Sequence, residues 1–112
     1  MTTKMVYHSS LTVEKWQTLT LMEQLGNVGS EVSRAMHWRS RNEQAFEGAI
    51  ARALELLDFT IQDPRWKNRL KELVRARELI ADALYGGTEY GTTFEDLDRY
   101  FLQYALAARR DK

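Results

Sequence analysis

Two histidines, His8 and His37, are the only imidazoles in the 112-residue chain, and it has no cysteine. Without cysteine there is no disulfide, no thiolate metal site and no cysteine nucleophile. A di-iron helical bundle needs inward-facing Glu-x-x-His pairs. Neither histidine has a carboxylate three residues before it, so that site cannot be assembled. The glycine-rich "YGGTEYG" at 85–91 lacks the Gly-Lys-Ser/Thr ending of a phosphate loop and reads as a helix stop and turn. These residues give no catalytic group, no metal and no cofactor, and the reading leans away from an enzyme.

The densest charge is "DPRWKNRLKELVRARE" at 63–78, with six basic residues in sixteen positions. With Arg65 at zero and about 100° per residue, the basic residues do not form one stripe. They flank an apolar face at ~100° carrying Trp66, Leu70, Leu73, Ile80 and Leu84, and acids are interspersed, so this is mainly a solvated surface. Arg77 is the exception, because it falls at ~120°, inside the apolar arc. An arginine there must snorkel or find a partner. Glu31, Asp58, Asp98 and the hydroxyls of Tyr100 and Tyr104 are the candidates by height in a bundle. Arg77, with Glu31 and Tyr104, is therefore the ligand or buried-polar candidate. A structural ion pair is the plainer role, and an anion-binding inter-helix pocket the sharper one.

These residues need helices to hold them. Residues 1–10 read as a loose lead-in without the apolar core of a secretory signal. A first helix is expected from Thr12, with Leu11 and Trp16 as a hydrophobic staple. Its seam is Met22, Leu25, Gly29, Val32 and Met36, with a bend near "LGNVG". Gly26, Gly29, Ser30 and Ser33 would admit a close neighbour. After a break near Ser40, a second helix runs to about Gln62 with Phe46, Ile50, Ala53, Leu57 and Ile61 inward, and is expected to be the most buried. Asp63 and Pro64 open a third helix that runs to Tyr85 and stops at Gly86 and Gly87. Thr92 and Glu95 form the expected capping box of a fourth, which turns Leu97, Phe101, Tyr104 and Ala108 inward. The class is all-α, one domain over 1–112, an up-down-up-down four-helix bundle. Tetratricopeptide repeats do not fit, because no second copy recurs at the required period.

Sixteen basic and sixteen acidic side chains cancel, so no global charge draws the chain to nucleic acid or to an anionic membrane. No apolar run is long enough to span a bilayer, and a cytoplasmic location is expected. Locally, Arg34, His37, Arg39 and Arg41 converge where the first helix ends, and they are the nucleic-acid candidates.

With four helices in view, "RNEQAFEGAIARALELLDFTIQDPRW…RLKELVRARELIADALYG" resembles short prokaryotic helical bundles of the HEPN and S23-like kind. HEPN ribonucleases carry an Arg followed by four to six residues and then His. Here Arg34 precedes His37 with two residues between, and the run from Arg41 has no histidine. The resemblance therefore implies no nuclease residue. It implies a non-catalytic bundle that binds a protein, a nucleotide or RNA.

Some apolar residues fall off these seams. Leu102 and Leu106 lie ~140–180° from Leu97, Phe59 falls on the back of the second helix, and Trp16 falls off the first seam. Phe59, Leu102 and Leu106 are the interface candidates. The leading expectation is a non-enzymatic helix bundle working by protein–protein contact as a homo-oligomer. An RNA- or nucleotide-binding bundle is the alternative, and an enzyme pocket centred on Arg77 ranks third.

Overall fold

The computed structural model describes residues 12–110. His8, Leu11, the 1–10 lead-in and Lys112 lie outside the described residues. Within them the chain is all-helical, with five α-helices and one 3-10 segment where four helices were expected.

The additional helix arises near the start. Thr12 caps a single turn, α1 (Val13–Trp16), by accepting from the Lys15 N–H at 3.1 Å. The chain breaks at once, because Thr20 makes a reciprocal capping box with Glu23 at 2.9 and 3.1 Å. A box satisfies two orphan N–H groups together, which makes Thr20 a strong helix start. From it α2 (Leu21–Trp38) runs without interruption through "LGNVG", where a bend was expected. Its glycines serve packing instead. A Cβ on Gly29 would sit 2.5 Å from the Phe101 Cβ, and one on Gly26 would sit 3.2 Å from the Ala105 Cα. Both residues give up about 1 kcal/mol of helix propensity each. In exchange they let the last helix lie directly on α2.

Ser40 adopts a left-handed φ of 73°, which turns the chain. Asn42 then caps α3 (Glu43–Gln62), accepting from the Ala45 N–H at 3.0 Å. The expected inward face holds, with Ile50, Ala53 and Leu57 buried and Phe46 and Ile61 half-buried. It is wider than periodicity indicates, since Phe59 and Thr60 are buried too. The central helix is α2 rather than α3, for it packs extensively against both α3 and the last helix.

Asp63 and Pro64 do open a helical segment, but it is a 3-10 stretch, Pro64–Arg69, distorted at Trp66 (φ −105°, ψ 18°). The regular helix α4 begins only at Leu70 and ends at Leu84. Gly86 and Gly87, at φ 89° and 75°, provide the expected stop. The last helix, α5 (Phe94–Arg110), starts one residue later than expected. Its box is Thr93 with Asp96, at 3.0 and 3.2 Å, in place of Thr92 with Glu95. Glu95 is thereby freed to pair with Arg39 at 2.9 Å. The core runs through Trp16, Leu25, Leu57, Leu73, Ile80, Leu97 and Phe101.

Candidate interaction surface and buried polar groups

Arg77 finds a carboxylate on the neighbouring helix. Its Nε donates to Asp58 Oδ1 at 2.8 Å, across α4 and α3. That hydrogen bond raises the guanidinium pKa above its ordinary value, against the opposing effect of burial. Both partners remain over 40% exposed, so the pair sits at the margin of the core. The wheel put Arg77 inside the apolar arc because it gave weight to large residues. The buried side of α4 is Leu73, Ala76, Ile80 and Ala83, while Leu70 and Leu84 are exposed and Trp66 belongs to the 3-10 segment.

The structure does not bring Arg77, Glu31 and Tyr104 together. Glu31 is buried and accepts from Arg34 at 2.7 Å and from Arg52 at 3.2 Å, which joins α2 to α3. Tyr104 is buried with its hydroxyl 3.2 Å from that of Tyr100 and 3.3 Å from Glu72 Oε1. Burial, reinforced by these acceptors, pushes the Tyr104 hydroxyl well above the usual tyrosine range. Glu72 is in turn held low, first by the Arg69 guanidinium that grips it at 3.0 and 3.1 Å.

The basic candidates at the end of α2 are partly neutralised. Arg34 is paired to Glu31, and Arg39 is paired to Glu95 while stacking 5.0 Å over the Phe94 ring. Arg41 and His37 are exposed, and His37 sets its ring edge-on to Trp38 at 4.8 Å.

Two buried polar constructions were not foreseen. In the first, Gln24 is fully buried among α2, the 3-10 segment and the end of α1. Its Nε2 donates to the Trp16 carbonyl at 2.9 Å and to Asp63 Oδ2 at 3.2 Å. Its Oε1 accepts the Trp66 indole N–H at 2.9 Å. Beside it the Trp16 indole donates to Thr60 Oγ1 at 3.1 Å. Asp63, 1% exposed, also accepts from Arg65, whose guanidinium reaches on to the Leu19 carbonyl at 2.8 Å. The Arg65 hydrogen bond is the main cause holding the Asp63 carboxyl below the usual carboxylate range, with burial opposing it. In the second, buried Asp82 accepts from the backbone N–H groups of Glu89, Tyr90 and Thr92 at 2.8–3.1 Å. Burial pushes its carboxyl up, but the N–H groups outweigh burial and hold it low.

Sequence signals for both existed. Gln24 keeps the three-four spacing between Leu21 and Val28. Asp82 is an acid in the last turn of a helix, where the dipole disfavours it, and such an acid needs a local donor set.

Of the interface candidates, Phe59 is buried at 5% exposure, and Trp16 at 2% is likewise core. The back of the second helix is covered, since α3 packs against α1, the 3-10 segment and α4 as well as α2. Leu102 and Leu106 are 48% and 49% exposed on α5. Leu102 lies on a groove of about 230 Å³ between α5 and α2, lined also by Ser30, Ser33, Asp98, Ala105 and Arg109.

Among the described residues, no helix is long and apolar enough to cross a membrane, and no cluster of three or more His, Asp or Glu is placed to hold a metal. No protein-family model, curated protein or solved structure matches the chain.

Proposed function

We propose that the chain is a non-enzymatic helix bundle acting through protein–protein contact, with a second copy of itself as partner. The observation that carries this is the pair Leu102 and Leu106, half exposed and one turn apart on α5. Removing apolar surface from water favours association by roughly 25 cal/mol per Å². In this reading α2 to α5 run up-down-up-down. The neighbour pattern supports that order, since α2 touches α3 and α5, and α4 touches the same two. RNA binding at Arg34, His37, Arg39 and Arg41 has less support, because carboxylates already occupy two of the three guanidinium groups.

Sedimentation velocity over a wide concentration range tests the proposal. The native chain is expected to pass from monomer to dimer. A Leu102→Glu/Leu106→Glu variant should stay monomeric with an unchanged helical circular dichroism spectrum. A native chain that is monomeric up to its solubility limit ends this reading.

A further inference from the structure

Four α5 residues that line the α2–α5 groove follow a single spacing: Asp98, Leu102, Ala105 and Arg109. Steps of four, three and four place them within roughly 60° of one another around the helix. That spacing is the seam of a helix that packs lengthwise on another helix. Leu106 flanks the seam and widens its apolar centre.

The two ends of this seam carry opposite charge. Asp98 and Arg109 have no hydrogen-bond or ion-pair partner among the described residues. Eleven residues of helix separate them by about 16 Å, far beyond the reach of an ion pair within one chain. An antiparallel copy of the same helix removes that separation. The midpoint between 98 and 109 is also the midpoint between 102 and 105. One two-fold axis through that point sets Asp98 against Arg109 of the second copy and Arg109 against its Asp98. The same axis sets Leu102 of one copy beside Leu106 of the other, at the edge of Ala105, which itself rests on Gly26 of α2. A two-fold interface is self-complementary, so each charge is met twice. A parallel pairing would instead set Asp98 on Asp98 and Arg109 on Arg109, which charge repulsion opposes.

We infer that the partner is a second copy docked antiparallel, α5 on α5, with the Asp98–Arg109 pairs closing both ends of a leucine-centred contact. The inference rests on the homo-oligomer reading above and specifies its register. An interface built on one helix pair is small, so the dimer falls in the weak, concentration-dependent class.

The chain has no cysteine, so introduced thiols report the register without background. Chains carrying Asp98→Cys and Arg109→Cys are prepared separately, then oxidised mildly alone and mixed. The mixture should give a disulfide-linked dimer several-fold faster than either chain alone, and it keeps one native Asp98–Arg109 pair intact. Charge reversal gives a second readout. Asp98→Arg or Arg109→Asp alone should weaken the dimer, and the two together in one chain should restore it. A dimer in sedimentation that cross-links best through Asp98→Cys alone, or shows no preference for the mixture, overturns the register while leaving the oligomer standing. A monomer at every concentration overturns both.

Discussion

The Gln24 amide oxygen and the Trp66 indole nitrogen meet at 2.9 Å, and this bond links α2 to the 3-10 segment that precedes α4. The same amide reaches Asp63 and the Trp16 carbonyl from its other side. One side chain thus bonds three groups, and for the Trp66 indole it is the one acceptor among the described residues. The 3-10 path over 64–69 is opened locally by the Asp63 cap and Pro64, and the Trp66–Gln24 bond ties it to α2. Gln24→Leu keeps the volume and deletes every one of these bonds. The Trp66 indole loses its acceptor while the Trp16 carbonyl and Asp63 keep other donors, so a loss of about 1–3 kcal/mol is expected in urea unfolding. A loss under about 0.5 kcal/mol, within the range of neutral surface changes, would show that the network contributes nothing.

Gly29 and Gly48 should respond oppositely to alanine. At Gly29 the added Cβ meets the Phe101 Cβ at 2.5 Å, so α2 and α5 must separate, and overpacking of this kind costs about 1–3 kcal/mol. At Gly48 the nearest atom is the guanidinium end of Arg52 at 3.4 Å, an ordinary contact distance, so the change should yield roughly the 1 kcal/mol that glycine costs in a helix. Paired thermal melts decide this. A Gly29→Ala variant as stable as the native chain would mean that α5 does not lie on α2 this closely.

Much of this was legible in the sequence, and the failures share a cause. The helix stops at Gly86 and Gly87, the break near Ser40 and the inward faces around Leu57 and Phe101 follow from local chemistry, and periodicity finds them. The Thr20 box is masked in the sequence, because Leu19 and Leu21 continue the apolar pattern across the break. Arg77 was placed inside the core, and Phe59 outside it, because a wheel weighs size and not contact. Ala76 and Ala83 face inward on α4, while Leu70 and Val74 remain exposed. The polar interior of Gln24, Thr60 and Asp63 is set by elements far apart in sequence, and no single-helix pattern encodes it.

Arg77→Met should fold normally. The Arg77–Asp58 pair is more than 40% exposed at both ends, and pairs of that kind contribute about 0–1 kcal/mol. A midpoint in guanidinium chloride close to that of the native chain is expected. A drop of several kcal/mol would instead assign Arg77 to a buried hub.

Acid should unfold the chain in part through Asp63. Its folded pKa lies below the ordinary carboxylate value, so the stability it contributes is complete above about pH 4 and is lost as pH falls through the lowered folded value. Asp63→Asn removes this titration while keeping the shape. Its stability at neutral pH should be lower than native, and its decline between about pH 4 and pH 2 shallower. Parallel acid profiles of the two proteins would argue against the Arg65–Asp63 bond.

Asp82 controls a smaller region. Its carboxylate binds three backbone N–H groups in the loop that joins α4 to α5. Asp82→Ala leaves those donors without their acceptor, and the loop should open locally while the core of α2 and α3 stays protected. Amide hydrogen exchange should therefore accelerate at Glu89, Tyr90 and Thr92 by far more than at Val28 or Leu57. Asp82→Asn keeps one acceptor oxygen and should give an intermediate effect. Equal acceleration throughout the chain would show instead that Asp82 supports the whole fold, since the loop and the core would then open in a single cooperative step.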